Sequence, residues 1–248
     1  MNSTIETILS HRSVRKFTNQ ALTKEQIDTI VHSAQMAATS NYIQAYSIIG
    51  VNDRNKKSKL AQLSGNQAYV LESGHFFVFC ADLHRHQLVA EMEESVITES
   101  IESSEKFIVA VVDTALAAQN ATIAAESMGL GICYIGGIRN EIEGVSELLE
   151  LPEYVIPLFG LTVGYPDEET SIKPRLPKEA VYHEDAYQSD LAMTEQLDQY
   201  DEVVSNYYYE RTNGKRAERW TEQMSNMLSN PTRMNIKSFL EKKGFAKR

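Results

Sequence analysis

The sequence predicts one core built from both helices and strands, followed by a helical tail, and three observations carry that expectation. Strand-like apolar runs, "YSIIGV", "HFFVFCADL", "GICYIGGI" and "YVIPLFGLTVGY", recur between helical segments. The stretch "FIVAVVDTALAAQNATIAAESM", Phe107 to Met128, has small and apolar residues on nearly every face. From about residue 188 onward the segments turn long and polar.

Taken in order, "TIETILSH" reads as a short helix with Ile5, Ile8 and Leu9 on one side. In "ALTKEQIDTIVHSAQMAATS", Thr23 is the expected N-cap and Gln26, three places on, its reciprocal partner, while Ile27, Ile30, Val31 and Ala34 form the apolar face. "YSIIGV" is a strand, and "DRNKKSKLAQLSG" a polar helix closed by Gly65. "HFFVFCADL" is apolar almost throughout, which places it centrally in its sheet. The Glu-rich segment near 91–105 reads as a solvated helix and loop, with a mobile flap over a site as the alternative. The long helix ends at Gly129 and must be buried, either centrally or against a partner chain. "EIEGVSELLE" is a helix between the last two strands, and the two prolines of "SIKPRLPKEAVYH" make that segment an extended loop. "LAMTEQLDQYDEVVSNYYYERT", "AERWTEQMSNMLSN" and a last helix near 236–243 complete the chain.

With 24 Lys+Arg against 34 Asp+Glu, the 248-residue chain carries a net charge of −10, which argues against nucleic acid and anionic membrane as partners. The N-terminus lacks a signal-peptide pattern and no apolar run reaches bilayer length, so a cytoplasmic protein is expected. Cys80 and Cys133 are isolated in apolar runs and are expected as buried, reduced thiols. His84 and His86 lie two apart, off any one helix face, and no metal-binding motif occurs, so no metal site is expected. "GLGICYIGG" has Tyr134 where a dinucleotide fingerprint needs its third glycine, and its helix and strand come in the reverse order.

Against an acidic background, local cation clusters stand out. "HRSVRKF" concentrates His11, Arg12, Arg15 and Lys16, and "KPR" holds Lys173 and Arg175 on a backbone stiffened by Pro174. Either is unremarkable alone; together they suit a phosphate, which guanidinium groups bind through paired hydrogen bonds. Gly136 and Gly137 directly after a strand let a planar ligand approach backbone N–H groups. "RTNGKRAER" gathers Arg211, Lys215, Arg216 and Arg219 around an Asn213-Gly214 turn; it is either a loop balanced by Glu210 and Glu218 or a site for a second phosphorylated ligand.

"HRSVRKF", "ATSNYIQAYSIIGV", "SGNQAYV", "GHFFVFCADLHRH", "DTALAAQNATIAAESMGLGICYIGGIRN", "IPLFG", "KPRLP" and "YYYERTNGKRAERW", in this order, resemble the nitroreductase family, in particular its NADPH-preferring flavin reductases and oxygen-insensitive nitroreductases. The resemblance covers essentially the whole chain. It implies an α+β fold with a mixed sheet sandwiched by helices, in an intertwined homodimer with FMN at the dimer interface. It also implies a single nitroreductase-type domain, with 1–187 as flavin-binding core and 188–248 as a C-terminal helical excursion carrying the NADPH loop. His11, Arg12, Ser13, Lys173 and Arg175 would hold the FMN phosphate; Arg15 and Gln67 would meet the ring, with Tyr134, Ile135, Gly136 and Gly137 beneath it. Ser40 matches a serine-rich stretch from which Thr39 and Asn41 depart; Tyr42 and Arg139 would line the substrate face, and Arg211 and Arg216 would read the 2′-phosphate of NADPH. The implied activity is an FMN-dependent NADPH oxidoreductase passing electrons by a ping-pong cycle to flavins, nitroaromatics or quinones, with no catalytic side chain because the cofactor carries the chemistry. An NAD(P)H oxidase forming hydrogen peroxide, or a flavin-delivery protein with little turnover, are the alternatives.

Overall fold

Helix starts follow the capping chemistry written in the sequence. The Asn2 side chain accepts from Ile5 N–H to open α1 (Ser3–Leu9), and Thr23 with Gln26 forms the expected capping box of α2 (Lys24–Gln35). Asp53 caps α3 (Arg54–Leu63), which is followed by α4 (Ala68–Glu72). The computed structural model describes residues 2–248, and its contacts divide the chain into one unit ending at 170 but including 233–248, and a second unit of 171–232.

In the first unit, β1 (Tyr46–Val51), β2 (His75–Asp82), β3 (Gly131–Ile135) and β4 (Val155–Gly164) form one sheet in the order β1-β2-β4-β3. All eight residues of β2 are buried, as its apolar sequence predicts for an inner strand. The expected mixed sheet is corrected: all three strand pairings are antiparallel. Strands β2 and β3 do run in the same direction, but β4 lies between them, so they never pair. Among the described residues the one parallel pairing is an isolated bridge between Ser13 and Ile132.

Between β2 and β3 the chain runs through α5 (His84–Met92), α6 (Thr98–Ile101) and α7 (Ser104–Ser127). Helix α7 starts three residues before its apolar run because the Ser103 side chain caps it by accepting from Lys106 N–H. Ala117, Ala118, Ala121 and Ala125 of α7 pack with Ile30 and Ala34 of α2 against Phe77 and Phe79 of β2. On the opposite sheet face, Phe76, Val78 and Cys80 meet Leu60 of α3, Val70 of α4 and Val145 of α8 (Ile142–Leu148). The helix-sheet-helix layering follows from the strict alternation of side chains along β2.

Contrary to the expectation that no apolar run reaches bilayer length, α7 is long and apolar enough to cross a membrane; its alanine face nevertheless lies in the protein core. Its other side exposes Ile108, Val112 and Leu116, four residues apart on one stripe, and Ile5, Ile8 and Leu9 of α1 are exposed as well.

The second unit contains α9 (Asp190–Arg211) and α10 (Trp220–Leu228), with Tyr200, Val204 and Tyr208 of α9 packed on Leu176 and Trp220. The loop before α9 is not extended throughout: it contains a short 3₁₀ turn at Lys178–Ala180 and a bend at 184–186, where Asp185 has a positive φ of 62°. Asp201, 5 % exposed, accepts from Thr221 N–H at 2.9 Å and from the Thr221 hydroxyl, which fixes the start of α10 on α9. The last segment rejoins the first unit, where Phe239 of α11 (Ile236–Lys242) and Phe245 are buried among Ala81, Leu83 and Ile156.

Both cysteines are buried and unpaired by disulfide, and burial pushes their thiols above the ordinary range. His75, 3 % exposed, has no hydrogen-bond partner on either ring nitrogen; burial, aided by the charge of Lys57, pushes it down to about 4. The unfolded ring takes up a proton below about pH 6.5, the folded ring only near pH 4, so stability is full above 6.5 and falls as pH drops through that window. Urea unfolding followed from pH 7 to pH 4 should show a loss of about 3 kcal/mol that His75→Phe removes.

Candidate functional site

The His11–Arg15 segment has no secondary structure of its own, yet its backbone is fixed. Val14 N–H donates to Ile132 O at 2.8 Å, Ser13 bridges Ile132 in parallel, and the Val14 side chain is buried. Gly131 makes this approach possible, since a Cβ there would stand 2.8 Å from Val14 Cβ. The cationic segment therefore runs along β3, whose C-terminal end leads directly into Gly136 and Gly137. The His11 imidazole pairs with Glu126 of α7 at 2.7 Å, whereas Arg12 and Arg15 form no ion pair among the described residues. A recess of about 160 Å³ beside Arg12 is walled by Ser10, Glu126, Gly131 and Pro166.

At the end of β3, a Cβ on Gly137 would come within 2.4 Å of Ser64 O and 3.0 Å of Gln67 Nε2, so no larger residue fits there. The same contact brings Gln67 to the glycine pair, and Gln67 Oε1 is buried without a hydrogen-bond partner. An orphaned acceptor of this kind is costly unless a ligand or water satisfies it. Ile135 is buried; Tyr134 is 37 % exposed, accepts from the Thr122 hydroxyl at 2.9 Å and meets Phe159 edge-on at 5.5 Å. Arg139 turns its guanidinium to Leu158 O, a residue skipped where the β2–β4 register shifts between Phe79/Phe159 and Cys80/Pro157. Burial, with the charge of Arg233, holds Arg139 below its ordinary value.

Ser40 and Tyr42 stand elsewhere, in the turn that leads into β1, and β1 and β3 are opposite edges of the sheet, three strand spacings or about 14 Å apart. Asn41, Tyr42 and Gln44 all adopt positive φ, 46°, 61° and 53°, and Tyr42 is 81 % exposed. One buried group holds this costly backbone. Asp113 of α7, 1 % exposed, accepts from Ser40 N–H at 3.1 Å, Ala45 N–H at 3.0 Å and the Thr39 hydroxyl. Thr39 Oγ1 in turn accepts from Gln44 N–H at 2.8 Å. Neither Asp113 nor Glu126 was anticipated; the signal for Asp113 was a lone carboxylate within the apolar run "VVDTALAA".

The second unit brings together the remaining cations. Lys173 lies 5.6 Å and the Arg216 guanidinium 4.6 Å from the centre of one ring, Tyr208. Tyr200 donates to Pro174 O at 3.0 Å and Arg175 Nη1 to Lys173 O at 2.7 Å, which anchors the "KPR" loop on α9. Arg211 Nη1 donates to Tyr207 Oη at 2.7 Å. Partial burial raises Tyr207, but hydrogen bonds to Ser171 and Arg211 and the nearby charges outweigh it, leaving the phenol below its ordinary range.

Replacing Asp113 by Ala removes the acceptor of the buried Ala45 N–H as well as that of the Ser40 N–H and the Thr39 hydroxyl, and should cost about 2–4 kcal/mol in urea unfolding, with Asp113→Asn, which retains one acceptor oxygen, costing less.

Residues 8–165 match the nitroreductase family and residues 173–248 the C-terminal domain of the nitroreductase family. A protein of Bacillus subtilis (strain 168) named FMN reductase (NADPH) is 57 % identical over 250 residues, covering 100 % of both chains. Among solved structures, NfrA1 of B. megaterium superposes with a TM-score of 0.98 at 63 % identity, over 99 % of this chain and 100 % of that one. The NADPH:FMN oxidoreductase from Vibrio harveyi, complexed with NAD+, gives 0.89 at 42 % identity over 100 % of each. With a family match across most of its length and relatives this similar over the whole of it, the chain belongs to the nitroreductase family.

Proposed function

We propose that this chain is an FMN-dependent NADPH oxidoreductase, active as a homodimer, that transfers two electrons in a ping-pong cycle from NADPH to flavins, nitroaromatics or quinones. The observation that carries this reading is the junction at the end of β3, where a fixed cationic segment, a glycine that admits no side chain and an orphaned amide oxygen meet. The names of the relatives, FMN reductase (NADPH) and NADPH-dependent oxidoreductase, point the same way.

The residues present fit FMN. Arg12 and Ser13 are assigned to the phosphate oxygens, with His11 steadied by Glu126, and Lys173 and Arg175 are assigned to the same phosphate. Gln67 Oε1, which lacks a partner, would accept from a donor on the ring, and Tyr134 to Gly137 would form its floor. The Arg15 guanidinium, which makes no ion pair among the described residues although the Arg15 backbone N–H donates to Glu168 Oε1 at 3.3 Å, would supply positive charge toward the ring. Bound there, FMN supplies a ring that accepts hydride and gives up two electrons. The protein's share is to bind, stack and hold charge, so no side-chain general base is required.

A second copy of the chain would supply the Ser40–Tyr42 turn. Support comes from its place at the opposite sheet edge from the cationic segment, and from the exposed stripe of Ile108, Val112 and Leu116, which a second copy would cover. Arg139, held on Leu158 O, and Tyr42, exposed, are assigned to the acceptor side. Arg211 and Arg216 are assigned to the 2′-phosphate of NADPH, where a guanidinium contributes a charge-assisted hydrogen bond.

Anaerobic mixing of the FMN-loaded protein with NADPH should bleach the flavin absorbance rapidly. Arg211→Ala should raise the NADPH concentration for half-maximal rate about tenfold while leaving NADH unchanged. A bound flavin that neither nucleotide bleaches would refute the assignment.

A further inference from the structure

The two arginines that the proposed NADPH site assigns to the 2′-phosphate are not equivalent, and the inference drawn from their difference rests on that assignment. Arg211 is held by a phenol, Tyr207, and forms no ion pair among the described residues. Arg216 is fixed over Tyr208 at 4.6 Å, with its backbone N–H donating to Thr212 Oγ1 at 2.9 Å. Its Nε–H is shared between both oxygens of Glu218, at 3.1 Å each. One edge of the guanidinium is thus occupied, and its charge is matched, by a carboxylate two residues away.

We infer that Glu218 is a specificity-determining residue: an internal anion that stands on Arg216 where the 2′-phosphate is to be read and so lowers the protein's preference for NADPH over NADH. A phosphate arriving at Arg216 has two options. It displaces the carboxylate from Nε, or it binds the free Nη1/Nη2 end beside a like charge. Either way the phosphorylated nucleotide bears a cost that NADH, lacking that group, does not. The Glu218 carboxyl is held below the usual carboxylate range, by its own backbone N–H first and by Arg216 next, so it stays charged at neutral pH.

The pair is half exposed, with 49 % of the Arg216 and 41 % of the Glu218 side chain accessible, so its effect is that of a surface ion pair. Glu218→Gln in the FMN-loaded protein should therefore lower KM for NADPH about two- to fivefold, with KM for NADH unchanged. Inhibition by adenosine 2′-monophosphate should strengthen by the same factor, and inhibition by adenosine should not move. A mere repacking of the loop would shift both nucleotides alike, and that result, or an unchanged NADPH KM, would overturn the inference. Arg216→Ala separates the two levels. If it weakens NADPH while Glu218→Gln does nothing, only the role of Glu218 fails; if it leaves NADPH untouched, the phosphate reading of the loop fails and the inference with it.

Discussion

The candidate site depends on one backbone contact, the pairing of Ser13 and Val14 with Ile132. A segment with three cationic side chains in five residues has no reason to order itself, because like charges repel and no helix or strand restrains it. Two features overcome this. Val14 buries its side chain between the charged residues, and Gly131 leaves the space for it. Everything downstream inherits the fixed register: Ser13 falls beside β3, Arg15 follows it, and the strand hands over to the glycine pair where Gln67 waits with an unused oxygen.

The distribution of charge is compatible with the anionic ligands proposed for this acidic protein. A net charge of −10 would repel a nucleotide approached as a whole. Few of the assigned basic side chains are paired locally: His11 with Glu126 and Arg216 with Glu218, while the guanidinium groups of Arg12, Arg15 and Arg211 make no ion pair among the described residues. Aromatic rings do part of the holding instead. Tyr207 and Tyr208 support Arg211, Arg216 and Lys173 without cancelling their charge.

Legibility in the sequence varied with how local the cause was. The capping box of Thr23 and Gln26 and the strand Tyr46–Val51 were readable because capping and a short run of aromatic and β-branched residues act within a few residues. The long helix was readable in kind but not at its start, since Ser103 caps it from outside the apolar run. Strand direction was not readable, because it depends on β4 entering between β2 and β3. The return of 233–248 to the first unit rests on two isolated phenylalanines, Phe239 and Phe245, too few to make a pattern. Asp113 left a visible trace as the one carboxylate in an apolar helix segment, but what it holds lies about seventy residues away and only the fold joins them.

Cys133 sits on β3, immediately before Tyr134, and so borders the proposed flavin floor. Quinones are electrophiles that add to sulfur as well as accept electrons, and only the thiolate adds quickly. Burial keeps Cys133 and Cys80 in the S–H form and away from solvent. Were quinones among its acceptors, as proposed, packing alone would give this strand chemical resistance to alkylation.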